Sequence, residues 1–286
     1  DAHENYTHVF GDISDKDLVE GLFKKYDIRK VIHFAAESHV DNSIADPEPF
    51  LFSNFVGTAR LLHAAYRHWM RGPKAFKEGY ENSRFHHVST DEVYGELGDE
   101  GYFTEETPYA PNSPYSATKA GSDMLVHAYV HTYGFPATIS NSSNNYGKYQ
   151  HHEKLIPRMI RNALYELPLT VHGSGLNTRD WLCVIEHVKA IDLIFHKGKV
   201  GDTYLVGSNQ EMKNIDMITF ICDMMDELKP RGGNKSYHEL ITYTANRPGN
   251  DYRYAIDATK LQKELGWKSE VDFKERMRET ILWFID

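Results

Sequence analysis

The chain has 286 residues, 41% hydrophobic and 26% charged, with a formal net charge of −9. This composition excludes a disordered chain, the lack of any apolar run of about 18 residues argues against a membrane-spanning helix, and the acidic balance argues against the basic face of a nucleic-acid binder. Asp1–Glu4 shows neither a basic nor an apolar leader pattern, and Cys183 and Cys222 sit in apolar contexts without C-x-x-C spacing, so a cytoplasmic protein with two buried free thiols and no metal site is expected.

In chain order, a helix with apolar Leu18, Val19, Leu22, Phe23 and Tyr26 is predicted after a cap at Ser14, preceded by a strand ending at Gly11, Asp12 and Ile13. Strands follow at KVIHFAA (Lys30 to Ala36) and FHHVST (Phe85 to Thr90), with one long helix from Pro49 to Met70 between them. The segment Gly98 to Ser113 reads as a surface loop, and the next helix runs from Pro114 to Tyr133 with Gly134 as its stop. Further strands are ATIS (Ala137 to Ser140), LTVHG (Leu169 to Gly173), DTYLVG (Asp202 to Gly207) and ITYTA (Ile241 to Ala245). Lys229 to Ser236 reads as a loop, and helices are expected at Ile215 to Leu228 and Phe273 to Ile285.

Strands alternating with helices predict an α/β fold, a doubly wound parallel sheet of Rossmann-like type. Residues 1–146 are expected to form the dinucleotide-binding domain and 147–286 mainly a smaller substrate-binding lobe, with some segments returning to the sheet.

Four patterns carry chemistry. Tyr115 and Lys119 stand four apart at the start of a helix, on one face, where a nearby ammonium would favour the phenolate and make Tyr115 a base; a chance helical pair is the competing reading. Thr90, Asp91 and Glu92 close a strand, the end at which doubly wound sheets bind ligands, and two carboxylates in different environments can divide acid and base work; a solvated turn is the alternative. FAAESHVD (Phe34 to Asp41) follows another strand, with Ala35 and Ala36 small enough for a flat cofactor or simply for a tight turn. Arg179, Lys154 and Arg247 are cations suited to a diphosphate or to surface ion pairs. Asp12 reads either as an adenine contact or as a helix cap, and His127 and His131, spaced i, i+4 without a carboxylate partner, read as surface or interface residues.

No complete G-x-G-x-x-G is present: Gly173 and Gly175 are followed by Thr178 where the third glycine would stand. A βαβ unit takes about 30 residues or more, so the chain is expected to begin inside its first such unit and to lack the first βα segment.

Together AAESHVDNSI, STDEVYGE, PYAPNSPYSATKAGSD, SNNYGKYQHHEKLIP, GLNTRDWLCVIEH and NRPGNDYRYAIDATKLQKELGW closely resemble the dTDP-glucose 4,6-dehydratases, extended short-chain dehydrogenases, over Ala35 to Trp267. The resemblance implies an NAD-dependent lyase in which Tyr115, supported by Lys119 and Thr90, removes the sugar 4-hydroxyl proton as C4 is oxidised. Glu92 then takes the C5 proton, Asp91 protonates the departing C6 hydroxyl, and hydride returns to C6. The product is a 4-keto-6-deoxy sugar. It further implies cofactor positions at Asp12, Ile13, Phe34, Ala35, Ala36, Ser38, Ser53, Tyr115, Lys119 and Asn145. Substrate positions are implied at Ser38, Thr90, Asn144, Lys154, Leu155, Arg179, Asn214, Arg247 and Asn250, and a homodimer is expected. Ser53 stands for a usual Thr, Asn250 for a usual His and Lys148 for a usual Pro. A UDP-glucose 4,6-dehydratase and a noncatalytic sugar-nucleotide-binding derivative are the alternative readings.

Overall fold

A computed structural model describes residues 5–286 of the chain; the leader pattern sought at Asp1–Glu4 lies outside them. The elements in order are α1 (Lys16–Tyr26), β1 (Lys30–His33), α2 (Val40–Ala45), α3 (Glu48–Phe50), a π-helical turn (Leu51–Val56), α4 (Gly57–Trp69), β2 (Met70–Gly72), β3 (Ala75–Phe76) and β4 (Arg84–Thr90). They continue with a 3₁₀ turn (Asp91–Tyr94), α5 (Pro114–Tyr133), β5 (Ala137–Ser142), β6 (Asn144–Tyr146), α6 (Leu155–Leu164), β7 (Leu169–His172), β8 (Thr178–Cys183), α7 (Val184–Lys197) and β9 (Thr203–Val206). The last are β10 (Glu211–Lys213), α8 (Asn214–Leu228), β11 (Ile241–Thr244), α9 (Thr259–Leu265) and α10 (Phe273–Ile285), with two short 3₁₀ turns before β11.

The central sheet has the order β1-β4-β5-β9, and every pairing is parallel. Because alternate side chains of a strand point to opposite faces, the sheet feeds two cores. On one face Phe85, Ala137 and Ile139 pack with Phe23, Leu62, Trp69 and Val126 of α1, α4 and α5. On the other, Tyr204 and Val206 pack with Ala190, Ile194, Leu261 and Trp267. The alternation also separates two neighbouring histidines: His86 meets Thr138 Oγ1 and Ser140 Oγ at 2.9 and 3.0 Å, whereas His87 Nε2 lies 3.2 Å from Asp123 on α5. A third core, with Tyr146, Met159, Trp181, Ile221, Met225 and Met277, joins α6, α8 and α10 to the small sheets β10-β8-β6 and β11-β7.

Helix α5 shows why its ends were readable. Ser113 and Ser116 form a reciprocal capping box, Pro114 occupies the first turn, and Gly134 takes the left-handed conformation at φ 64°. Four expectations need correction. No strand precedes α1 among the described residues, and its N-cap is Asp15, whose carboxylate accepts from the amides of Asp17 and Leu18, rather than Ser14. The single helix from Pro49 to Met70 is instead α3, the π-helical turn and α4, with Met70 already in β2. Lys30–Ala36 is strand only to His33, where its ladder with β4 ends opposite His87. The segment 98–113 is a surface loop, as expected, anchored at Phe103, which is buried, donates its amide to the Ala255 carbonyl and packs against Tyr94.

The π-helical turn is held by hydrogen bonds from distant parts of the chain. Asn54, 1% exposed, donates through Nδ2 to the Glu37 carbonyl and to Thr118 Oγ1, both at 3.0 Å, and accepts the Glu37 amide at 2.8 Å. Its own carbonyl accepts the hydroxyls of Thr58 and Ser122 at 2.5 and 2.8 Å. Side chains thus satisfy the backbone that a wider turn exposes, and the turn after β1 is clamped to α5.

Candidate active site

Parallel sheets direct ligands to the carboxyl ends of their strands. At that edge Thr90 ends β4 and caps the 3₁₀ turn, its hydroxyl accepting the Glu92 amide at 3.3 Å and donating to Asp91 Oδ1 at 3.3 Å. The turn makes the T-D-E order consequential. Both carboxyls reach the cleft, but Asp91 is only 1% exposed and its Oδ2 is unpartnered. Burial, then the neighbouring Glu92, pushes the Asp91 carboxyl well above the usual carboxylate range. Burial also raises Glu92, but Arg179, Arg247 and Lys154 pull it back.

Tyr115 and Lys119 lie on one face of α5, and both are buried. The Tyr115 ring packs edge-on against Phe50, and its amide donates to Ser43 Oγ at 3.2 Å. Lys119 Nζ donates to the Val88 carbonyl at 2.8 Å, and burial lowers its ammonium to about 8, with Asp123 opposing. The expected lowering of the Tyr115 phenol by Lys119 is not what the chain itself produces. Burial and Glu92 raise the phenol above its ordinary value, and hydrogen bonding to Thr90 only partly offsets them.

Two adjoining cavities share Ser38, Glu92, Asn144, Lys154 and Leu155. One is completed by Thr90, Asp91, Tyr115 and Asn145, the other by Arg179, Asn214, Arg247 and Asn250. Arg179 is held before any ligand arrives: it donates to the carbonyls of Thr178 and Asp251, both at 2.8 Å, and stacks over Tyr254 with 4.2 Å to the ring centroid. Arg247 reaches Asp41 at 3.2 Å, Asn250 Oδ1 accepts from both arginines at 3.3 Å, and Lys154 donates to the Ser38 carbonyl at 2.6 Å. Asn145 Oδ1 is 2.9 Å from His187 Nδ1, which fixes the amide.

The remaining expected positions are more dispersed. Asp12 and Ile13 line a separate apolar groove with Leu18, Val31 and Leu61 beside the edge strand β1, and Asp12 accepts the Ser14 amide at 2.7 Å. Phe34, Ala35 and Ala36 follow β1, with Phe34 exposed, and Ser53 lies in the π-helical turn; none of these four lines the two shared cavities. His127 Nε2 meets Thr203 Oγ1 at 3.3 Å, no cluster among the described residues has a metal-binding set, and Gly173 and Gly175 form the turn after β7. Sequence reasoning missed Tyr254, Trp181, Ser143, His187 and Asp123. Two of them carried a signal: Ser143 by its place directly after a strand, and Asp123 by standing four residues after Lys119 on the same helix.

A Rossmann-like sheet with a Tyr–Lys helix beside a strand-end Thr-Asp-Glu defines an extended short-chain dehydrogenase-type enzyme. Residues 1–280 match the family model described as GDP-mannose 4,6 dehydratase. The dTDP-glucose 4,6-dehydratase of Xanthomonas campestris pv. campestris (strain ATCC 33913) is 49% identical over 283 residues, 98% of this chain and 80% of the relative. That of Haemophilus influenzae is 46% identical over 290 residues, 100% and 85%. Among solved structures, the dTDP-glucose 4,6-dehydratase DesIV from Streptomyces venezuelae, crystallised with NAD, superposes with TM-score 0.86 at 37% identity, covering 97% of this chain and 79% of DesIV. The Bacillus anthracis dTDP-glucose 4,6-dehydratase, in complex with NAD, gives 0.84 at 40%, covering 99% and 81%. The chain belongs to the dTDP-glucose 4,6-dehydratase family.

Proposed function

We propose that this protein converts dTDP-glucose to its 4-keto-6-deoxy derivative by C4 oxidation, loss of water across C5 and C6, and reduction at C6. The observation that carries the reading is the difference between the two adjacent carboxyls of the cleft: burial pushes Asp91 well above the usual carboxylate range, whereas Arg179, Arg247 and Lys154 oppose the burial-driven rise of Glu92. An elimination needs an acid and a base at once, and differing environments supply both at one pH.

The residues around Tyr115 fit the nicotinamide end of NAD. Ser143 Oγ and Asn144 Oδ1 are buried without partners at the same cleft, and Asn145 is already oriented by His187. Bound there, NAD would supply the two-electron acceptor and donor of the reaction. Tyr115, with Thr90, takes the proton from the 4-hydroxyl, and Lys119 keeps a positive charge behind it. Once C4 is a ketone the C5 proton is acidic; Glu92 removes it while Asp91 donates its proton to the leaving C6 hydroxyl. Arg179, Arg247 and Lys154, with Asn250 bridging the two arginines, hold the diphosphate. We assign Asp12, Ile13, Phe34, Ala35, Ala36, Ser38 and Ser53 to the rest of the cofactor, and Asn144, Leu155 and Asn214 to the nucleotide sugar.

Incubation of the protein with NAD and dTDP-glucose should yield the 4-keto-6-deoxy product without stoichiometric NADH. Steady accumulation of NADH would make it a simple dehydrogenase, and a larger kcat/KM for UDP-glucose would reassign the base. We further propose a cytoplasmic homodimer. Leu51, Phe52 and Met124, 49%, 50% and 56% exposed on the packed π-helical turn and α5, support this contact surface. Met124→Glu should shift light scattering from dimer to monomer.

A further inference from the structure

We propose that Asp123 is a positioning residue of the active site, a buried counter-charge one helical turn behind Lys119 that keeps the ammonium charged in support of Tyr115. The inference rests on the dehydratase reading and names a component that reading does not use.

Helix α5 carries Tyr115, Lys119 and Asp123 at successive i+4 steps on one face, with exposures of 8%, 4% and 0%. A fully buried carboxylate is costly unless charges and donors around it compensate. Its Oδ2 accepts the Tyr109 hydroxyl at 3.0 Å and Asn141 Nδ2 at 2.9 Å, while Oδ1 lies 3.2 Å from His87 Nε2 without hydrogen-bond alignment. An asparagine would meet the same contacts: its carbonyl would accept from Tyr109 and Asn141, and its amide would face a neutral imidazole nitrogen. Packing therefore calls for the shape of Asp123 but not its charge.

The charge has one cation to answer. From β4, His87 is pushed well below its usual range, first by burial and then by Lys119 itself; from β1, His33 is also lowered by burial, and so neither is cationic. Tyr94, Tyr109 and Tyr115 are phenols raised by burial. The carboxyls of the 3₁₀ turn, Asp91 and Glu92, face Tyr115, and β5 presents the neutral Asn141. On α2, Asp41 is paired with Arg247, Glu48 of α3 is exposed, and His127 lies on the next turn of α5 and faces Thr203. Burial raises the Asp123 carboxyl and Lys119 is the leading charge that opposes the rise, just as Asp123 is the charge that opposes the burial-driven fall of Lys119. Asn141 also donates to the Thr90 carbonyl at 3.1 Å, so the same network reaches the strand end that carries the two acid–base carboxyls.

The test is the pH profile of dTDP-glucose turnover by the NAD-loaded protein. In wild type the loss of the Lys119 proton is expected to appear as an alkaline limb of kcat, and in Asp123→Asn that limb should move down by about one pH unit or more, the size of an opposite-charge effect. KM should be unchanged. Asp123→Glu should return the limb toward wild type. Tyr109→Phe removes a hydrogen bond to the same carboxylate while leaving its charge, and should lower Tm without moving the limb. An unmoved limb in folded Asp123→Asn, an equal displacement in Tyr109→Phe, or no recovery in Asp123→Glu overturns the proposal. Should the amide variant not fold, Asp123→Ser is scored by the same limb. Wild-type protein that fails to turn over dTDP-glucose would overturn the dehydratase reading instead.

Discussion

At the scale of single residues, Asp91 and Glu92 are neighbours in sequence with opposite surroundings, and their variants should separate. The wild-type reaction in deuterated water should place solvent deuterium at C5 of the product. Glu92→Gln should abolish that label and lower kcat by about 10²–10⁴, the range for losing one acid or base. Asp91→Asn should slow product formation comparably yet still allow deuterium into recovered dTDP-glucose, because C5 exchange needs Glu92 alone. Wild-type labelling in Glu92→Gln, read by mass spectrometry, would remove it from the reaction. A second consequence concerns stability. The Asp91 carboxyl is raised in the folded state, chiefly by burial, so its contribution is intact below the unfolded value of about 3.9 and is lost as pH rises toward the folded value. Asp91→Asn has no such loss. Its Tm relative to wild type should climb as pH is raised from about 4 to about 8. A difference independent of pH would place Asp91 in a more solvated setting.

At the scale of elements, α5 and β4 do most of the positioning. Caps and periodicity predicted α5 to the residue, because Ser113, Pro114 and Gly134 act locally. The span from Pro49 to Met70 departs from a single helix for the opposite reason: the π-helical turn answers to hydrogen bonds from Glu37 and Thr118, far away in sequence, which no periodicity reports. Asn54→Ala removes its part-buried hydrogen bonds to the Glu37 amide and carbonyl and to Thr118, and each such loss costs about 0.5–1.5 kcal/mol. It should therefore lower unfolding free energy by at least about 1 kcal/mol in denaturant titration and raise the KM for NAD, since the turn after β1 and the π-helical turn are both assigned to cofactor. Destabilisation with unchanged NAD affinity would confine Asn54 to the fold.

At the scale of the whole molecule, the cleft lies where the parallel sheet meets the small sheets and α6, and its cations come from segments far apart in sequence: Lys154, Arg179 and Arg247. A net charge of −9 does not favour an anionic ligand, so binding depends on this local cluster. Added dTDP at about a hundred times Kd should stabilise the protein by about 2.7 kcal/mol, seen as a rise in Tm. Arg247→Ala should remove most of that rise while leaving the ligand-free Tm nearly unchanged, as its ion pair with Asp41 is partly exposed. An undiminished rise would put the diphosphate elsewhere. The sequence by itself determined the α/β alternation, the strand-end Thr-Asp-Glu, the Tyr–Lys helix and the family, since each is written in contiguous motifs. Only the tertiary structure decided which of the two carboxyls is the less exposed, that the Tyr115 phenol is raised rather than lowered, and that the Tyr254 ring lies under Arg179. Burial and charge proximity are sums over residues distant in the chain, and they exist only once the sheet and helices have packed.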